Sequence, residues 1–159
     1  MDEHANSVSI TSGRAFGAAS TLVAQMGILL GMIVSQQTQS ALVVASAASA
    51  VSGSFGDAFS MFISESTAKR EAVTAATSVL LSKLGIGAIY VLLFFLVGKH
   101  HSLTIALAVL LTLVLLYSLS LQMVEANESP LPTFTHFVFL TLLVVSVTSA
   151  FGFLIRQAL

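Results

Sequence analysis

Leu103 to Val124 reads LTIALAVLLTLVLLYSLSLQMV, a run without one charged side chain. An α-helix rises about 1.5 Å per residue and the apolar core of a bilayer is about 30 Å thick, so roughly 20 such residues cross it. This run is long enough. Four more of the same kind lie at about 15–35, 41–64, 73–98 and 134–155. They are too long for strands, they lack the alternation of a membrane barrel, and open sheet edges are not tolerated in lipid. The expected fold is therefore an all-α integral membrane protein with five transmembrane helices. It forms a single domain over 13–159, preceded by a polar N-terminal tail at 1–12.

Composition points the same way. Of 159 residues, 56% are hydrophobic and 8% are charged, against about 25% charged in soluble domains. Five spans with their connections occupy the chain and leave no room for a soluble catalytic domain. A net charge of −1 supplies no basic field for nucleic acid. The absence of cysteine excludes disulfides, thiolate metal sites and cysteine nucleophiles. No phosphate-binding loop, HExxH pattern or defensible Ser/His/Asp set occurs, so enzymatic activity is not expected. Met1 to Ser12 lacks the basic start and cleavage site of a secretory signal and reads as a retained tail.

With the N-terminus cytoplasmic, Arg14, Lys69 and Arg70 fall inside while Lys99 and Arg156 fall outside. The positive-inside rule favours that orientation by three to two, and an odd number of spans puts the C-terminus on the opposite side. Lys83 is placed about one turn into the third span, from where it could snorkel to either face. Small residues mark the first helix (Gly13, Gly17, Gly27, Gly31) and the second (45–54). Such residues let helix backbones approach closely, so the first two helices are expected to form the packed centre. The bulkier last three suit a lipid-facing belt, as in 91–96 and 107–116.

Asp57 is the one carboxylate deep in an apolar run. Placing it mid-bilayer on a lone helix costs at least about 2.5–3.5 kcal/mol, so it must pair, protonate or face water. Met61 and Glu65 follow on the same helical face, and Gly53 leaves a notch one turn earlier. A carboxylate beside a soft sulfur suits a borderline divalent cation, whereas pairing with Lys83 or a hydroxyl is the bland alternative. Ser20, Thr21 and Gln25 give the first helix a mild polar face, for lining a path or for helix–helix hydrogen bonding. Glu71 is a candidate for cytoplasmic metal capture, against the commoner role of a solvated charge. His100 and His101 are adjacent in a short loop and make a poor chelate; His136 reads as interfacial.

The stretch RAFGAASTLV at 14–23, with Gly27 and Gly31 beyond it, resembles the first-helix signature of the vacuolar iron transporter family, approximately FGANDGLV followed by spaced glycines. The stretch SGSFGDAFSMFIS at 52–64, leading to Lys69-Arg70-Glu71, resembles that family's second helix, where small residues precede a methionine, a glutamate and a basic-acidic exit. The likeness is specific over about 14–71 and architectural beyond it. It implies a homodimer that exchanges Fe2+ or Mn2+ for protons between its first two helices. It also implies Asp57 and Met61 at the pathway, no permanently bound cofactor, and an endomembrane such as a vacuole. Ser20 stands at the family's aspartate position and Thr21 at its next glycine. Only about ten residues replace the glutamate-rich cytoplasmic domain of its plant and fungal-like members.

Two functions are carried forward. One is a minimal proton-coupled transporter of divalent cations. The other is a non-transporting accessory subunit of a larger membrane assembly. Asp57 facing a second copy across a polar cavity favours the first; a salt bridge to Lys83, or burial against a foreign chain, favours the second.

Overall fold

The computed structural model describes residues 2–67, 71–123 and 129–158, with side chains from residue 13 onward within those ranges. Five helices make up the fold: α1 (Asp2–Val34), α2 (Gln39–Thr67), α3 (Ala72–Val97), α4 (His101–Met123) and α5 (Leu131–Ala158). All five are long and apolar enough to cross a membrane, the apolar part of α1 being Gly13–Val34. The protein is an all-α, integral-membrane type of chain. Helix α1 continues back through the polar tail to Asp2, so the tail extends the first span as helix instead of standing apart from it. Lys69, Arg70 and the first half of the Glu125–Pro132 stretch lie outside the described residues.

Contacts along the helices fix their directions. Gly13 lies against Ala75 and Gly17 against Val79, so α1 and α3 run parallel. Gly27 meets Thr148 and Gly31 meets Gly152, so α5 runs the same way. Gln25 bonds Ser46 while Ser20 bonds Asp57, which makes α2 antiparallel to α1. Tyr90 pairs with Thr112 and Thr104 with Val97, which makes α4 antiparallel to α3. The termini therefore lie at opposite ends of the bundle, with Arg14 near one end and Lys99 and Arg156 near the other.

Helix α1 is the hub, touching each of the other four. Its span is 44% buried, against 22% for α2 and 28% for α3. This corrects the expectation that α1 and α2 share the centre. The small residues of α2 are spread around its circumference. Ser46, Ala50 and Ser54 point inward, but Ala48, Ser52, Gly56 and Ser60 are exposed. Outward hydroxyls are tolerated there because they bond their own helix: Ser52 Oγ donates to the Ala48 carbonyl at 2.7 Å and Ser60 Oγ to that of Gly56 at 3.0 Å.

Close backbone approach does the packing that hydrophobicity cannot do in lipid. A Cβ on Gly13 would sit 2.6 Å from the Ala75 carbonyl oxygen, and one on Gly152 would sit 2.7 Å from that of Gly31. Gly87 of α3 packs on the Ala50 Cβ in the same way, at 2.5 Å. Buried polar pairs then set the register. Gln25 and Ser46 exchange two hydrogen bonds, Gln25 Nε2 to the Ser46 carbonyl at 3.2 Å and Ser46 Oγ to Gln25 Oε1 at 2.5 Å.

Candidate functional site: an ion pair inside the bundle

Asp57 is the nineteenth of the 29 residues of α2, and Lys83 the twelfth of the 26 of α3. Both therefore lie near the middle of their spans. Lys83 is about three turns into α3, deeper than expected, and does not snorkel: its Nζ donates to Asp57 Oδ2 at 2.5 Å. The same carboxylate oxygen accepts from Ser20 Oγ at 2.8 Å, and Lys83 Nζ reaches Ser20 Oγ at 3.2 Å. Three helices thus meet at one charged triad, with α1 giving a hydroxyl, α2 an anion and α3 a cation.

Local sequence explains how the triad fits. Helical spacing places Gly53 one turn from Asp57 on the same face. A Cβ there would lie 3.1 Å from Lys83 Cε and 3.2 Å from Nζ, so the glycine notch is where the lysine stem passes. Ser20 sits one turn beyond Gly17, whose lack of a side chain brings α1 onto α3 at Val79 and Ser82. The Lys83 side chain is 7% exposed, whereas that of Asp57 is 29% exposed. The cation is sealed within the bundle and the anion retains an open flank.

The other predicted residues separate around this centre. Met61 is half-buried one turn along α2, and Glu65 is buried one further turn toward the helix end. Thr21 spends its hydroxyl on the Gly17 carbonyl at 2.7 Å, and Gln25 is committed to Ser46. Ser20 and Gln25 thus form interhelical hydrogen bonds. Glu71 stands just before α3 and accepts from Thr74 Oγ1 at 3.2 Å, within its own first turn. Among the described residues no group of three or more His, Asp or Glu side chains converges as a metal site. His100 and His101 are exposed, and the His136 ring contacts the Pro132 carbonyl of its own helix at 2.7 Å.

Lys83 is the residue whose place in the site sequence reasoning underestimated. Counting residues from Ala72 would have found it, since eleven positions at about 1.5 Å each carry it some 16 Å into the span. Five grooves of the described residues lie elsewhere and are lined by neither Asp57 nor Lys83. Chemically, Asp57 can hold a tethered ammonium, a proton or an external cation, but only one of these at full strength. No protein-family model, curated protein or solved structure matches this chain.

Proposed function

We propose that this chain is a proton-coupled membrane transporter of divalent cations of the Fe2+ or Mn2+ type. It acts as a homodimer, with Asp57 as its exchange site and Lys83 as a tethered competitor at that site. The observation that carries the reading is the exposure that the Asp57 side chain keeps near mid-span, 29%, since its pairing with Lys83 by itself favours the accessory reading. Ionisable residues inside a membrane pair with one another and characteristically mark ion pathways or proton relays. Cohesion alone is a weak reason to keep such a pair, because replacing a buried ion pair with apolar groups is often neutral or stabilising. Helices α2 and α3 already hold through Ala50–Gly87 and through Gln39 Nε2, which donates to the Phe94 and Phe95 carbonyls.

In this scheme Lys83 neutralises Asp57 while the site is empty. An arriving cation displaces the ammonium and gains Met61 as a soft neighbour, with Glu65 further along the same helix. A proton on Asp57 weakens the metal site, which couples the two gradients. The resemblance of 14–71 to the vacuolar iron transporter family supports the choice of metal.

One observation favours a second reading, a non-transporting accessory subunit: Asp57 is neutralised by Lys83 and hydrogen-bonded by Ser20 within its own chain. Flux in proteoliposomes separates the two. Under an imposed pH gradient the wild type is expected to carry Mn2+ or Fe2+, and Asp57→Asn to reduce that flux to the rate of empty vesicles. A folded wild type without flux, which copurifies with other membrane proteins at fixed ratio, overturns the transport reading.

A further inference from the structure

A cavity of about 500 Å³ opens between α1, α3 and α4 at the end of the bundle where Arg14 lies, on the other side of the α1–α3 contact from Asp57. Its polar wall is Arg14, Ser78, Ser82, Ser118 and Gln122; its apolar wall includes Ile86, Leu115 and Leu119. Depth orders these groups. Arg14 is the second residue of the apolar part of α1 and Gln122 the last but one of α4, so both stand near the ends of their apolar segments. Ser118 is one turn further in, and Leu115 and Ile86 are deeper still. Charge and hydrogen-bond donors line the mouth, and hydrocarbon lines the floor.

The donors differ in how they are spent. Ser78 donates to the Thr74 carbonyl at 2.8 Å and Ser82 to that of Val79 at 3.1 Å, both within α3. Arg14, Ser118 and Gln122 have no ion-pair or hydrogen-bond partner among the described residues. Among the described residues no carboxylate lines the cavity. A cationic fork, a hydroxyl and an amide therefore face one space with no counter-charge among the described residues. A guanidinium matches the geometry of phosphate oxygens and binds them through two parallel hydrogen bonds. A divalent cation would be repelled.

We infer that this cavity binds a phosphate ester anion, supplied by the headgroup of an anionic phospholipid. Arg14 and Gln122 hold the phosphate, Ser118 hydrogen-bonds it from the side, and an acyl chain runs down over Leu119, Leu115 and Ile86. The floor decides between the two sources of such an anion. A free phosphate would leave the apolar half of the cavity without a role, whereas a lipid fills both halves and enters sideways from the bilayer. The Arg14 guanidinium favours a headgroup with net negative charge over one that carries its own cation. This inference does not depend on the transport reading, because the cavity and the ion pair share no residue.

The test uses the full-length protein purified in detergent. Bound lipid is counted by native mass spectrometry, and the melting temperature is followed on adding phosphatidylglycerol, phosphatidylcholine or inorganic phosphate. The expected result is one phosphatidylglycerol retained per chain and a rise in melting temperature with that lipid. Phosphatidylcholine should bind at least tenfold more weakly and inorganic phosphate should leave the melting temperature unchanged. Arg14→Ala should lose the bound lipid. Ser118→Leu, which fills the cavity without altering charge at an exposed position, should lose it too and keeps the test alive if Arg14→Ala does not fold. Arg156→Ala, at the opposite end, should retain it. Equal retention of both lipids, retention by Ser118→Leu, or equal loss in Arg156→Ala overturns the site. A melting shift produced by inorganic phosphate alone overturns the lipid as its source.

Discussion

At the scale of single residues, the pairing of Asp57 with Lys83 carries an asymmetry that can be measured. Lys83 is sealed in the bundle, while Asp57 keeps an open flank and a second donor in Ser20. Removing the carboxylate strands a buried ammonium. Removing the ammonium strands a carboxylate that still accepts a hydroxyl and can take up a proton. Breaking a buried pair from one side typically costs roughly 3–5 kcal/mol, much of it the penalty of the charge left behind. Asp57→Asn should therefore lower the melting temperature in detergent more than Lys83→Met does. The double variant Asp57→Asn/Lys83→Met should recover most of the loss. Equal destabilisation by the two single variants would show that burial does not distinguish the partners.

At the scale of the element, the glycines of α1 form one seam that serves two neighbours. At 100° per residue Gly13, Gly17, Gly27 and Gly31 fall within a sector of about 80°. The structure uses the first two against α3 and the last two against α5. A Cβ on Gly17 would meet the Val79 carbonyl oxygen at 2.7 Å and crowd Ser82, whereas Gly85 of α3 has nothing within 4 Å. Gly17→Val should destabilise by roughly 1–3 kcal/mol, the usual range for overpacking, and Gly85→Ala should be near neutral; thermal unfolding in detergent compares them. The number of spans was legible in the sequence, because length and apolarity are local properties. The seam was legible as a reason to associate, but its partners were not. Small residues say that something approaches and not which helix, so α2, equally rich in them, was expected at the centre where α3 lies. That the carboxylate needs a partner was legible because its cost in lipid is intrinsic. Its partner was weighed and left open, since the choice among Lys83, a hydroxyl and a second chain depends on which helices meet.

At the scale of the whole molecule, the bundle is lopsided. Helix α2 packs on α3 and α1 but shows solvent or lipid a broad face that includes Ser52, Phe55, Gly56, Phe59 and Ser60. The open flank of Asp57 belongs to this same helix, and a partly uncovered carboxylate near mid-span is costly against lipid. A second copy packed through the exposed face of α2 would bring the two second helices together, with Asp57 at the flank of the contact, about 100° around the helix from Gly56. The absence of cysteine allows a direct test. In a two-fold interface, residues near the axis meet their own copies, and a disulfide forms only where the two Cα atoms come within about 7 Å. Single cysteines placed at 52–60 and oxidised in the membrane should give covalent dimers at positions three or four apart, Ser52, Gly56 and Ser60 foremost. Phe55, about 100° around the helix from Gly56, should cross-link less, and Leu110→Cys on the exposed face of α4 should remain monomeric. A flat profile along α2, in a protein that mass measurement shows to be dimeric, would move the interface to another face and remove the shared pathway from between the two second helices.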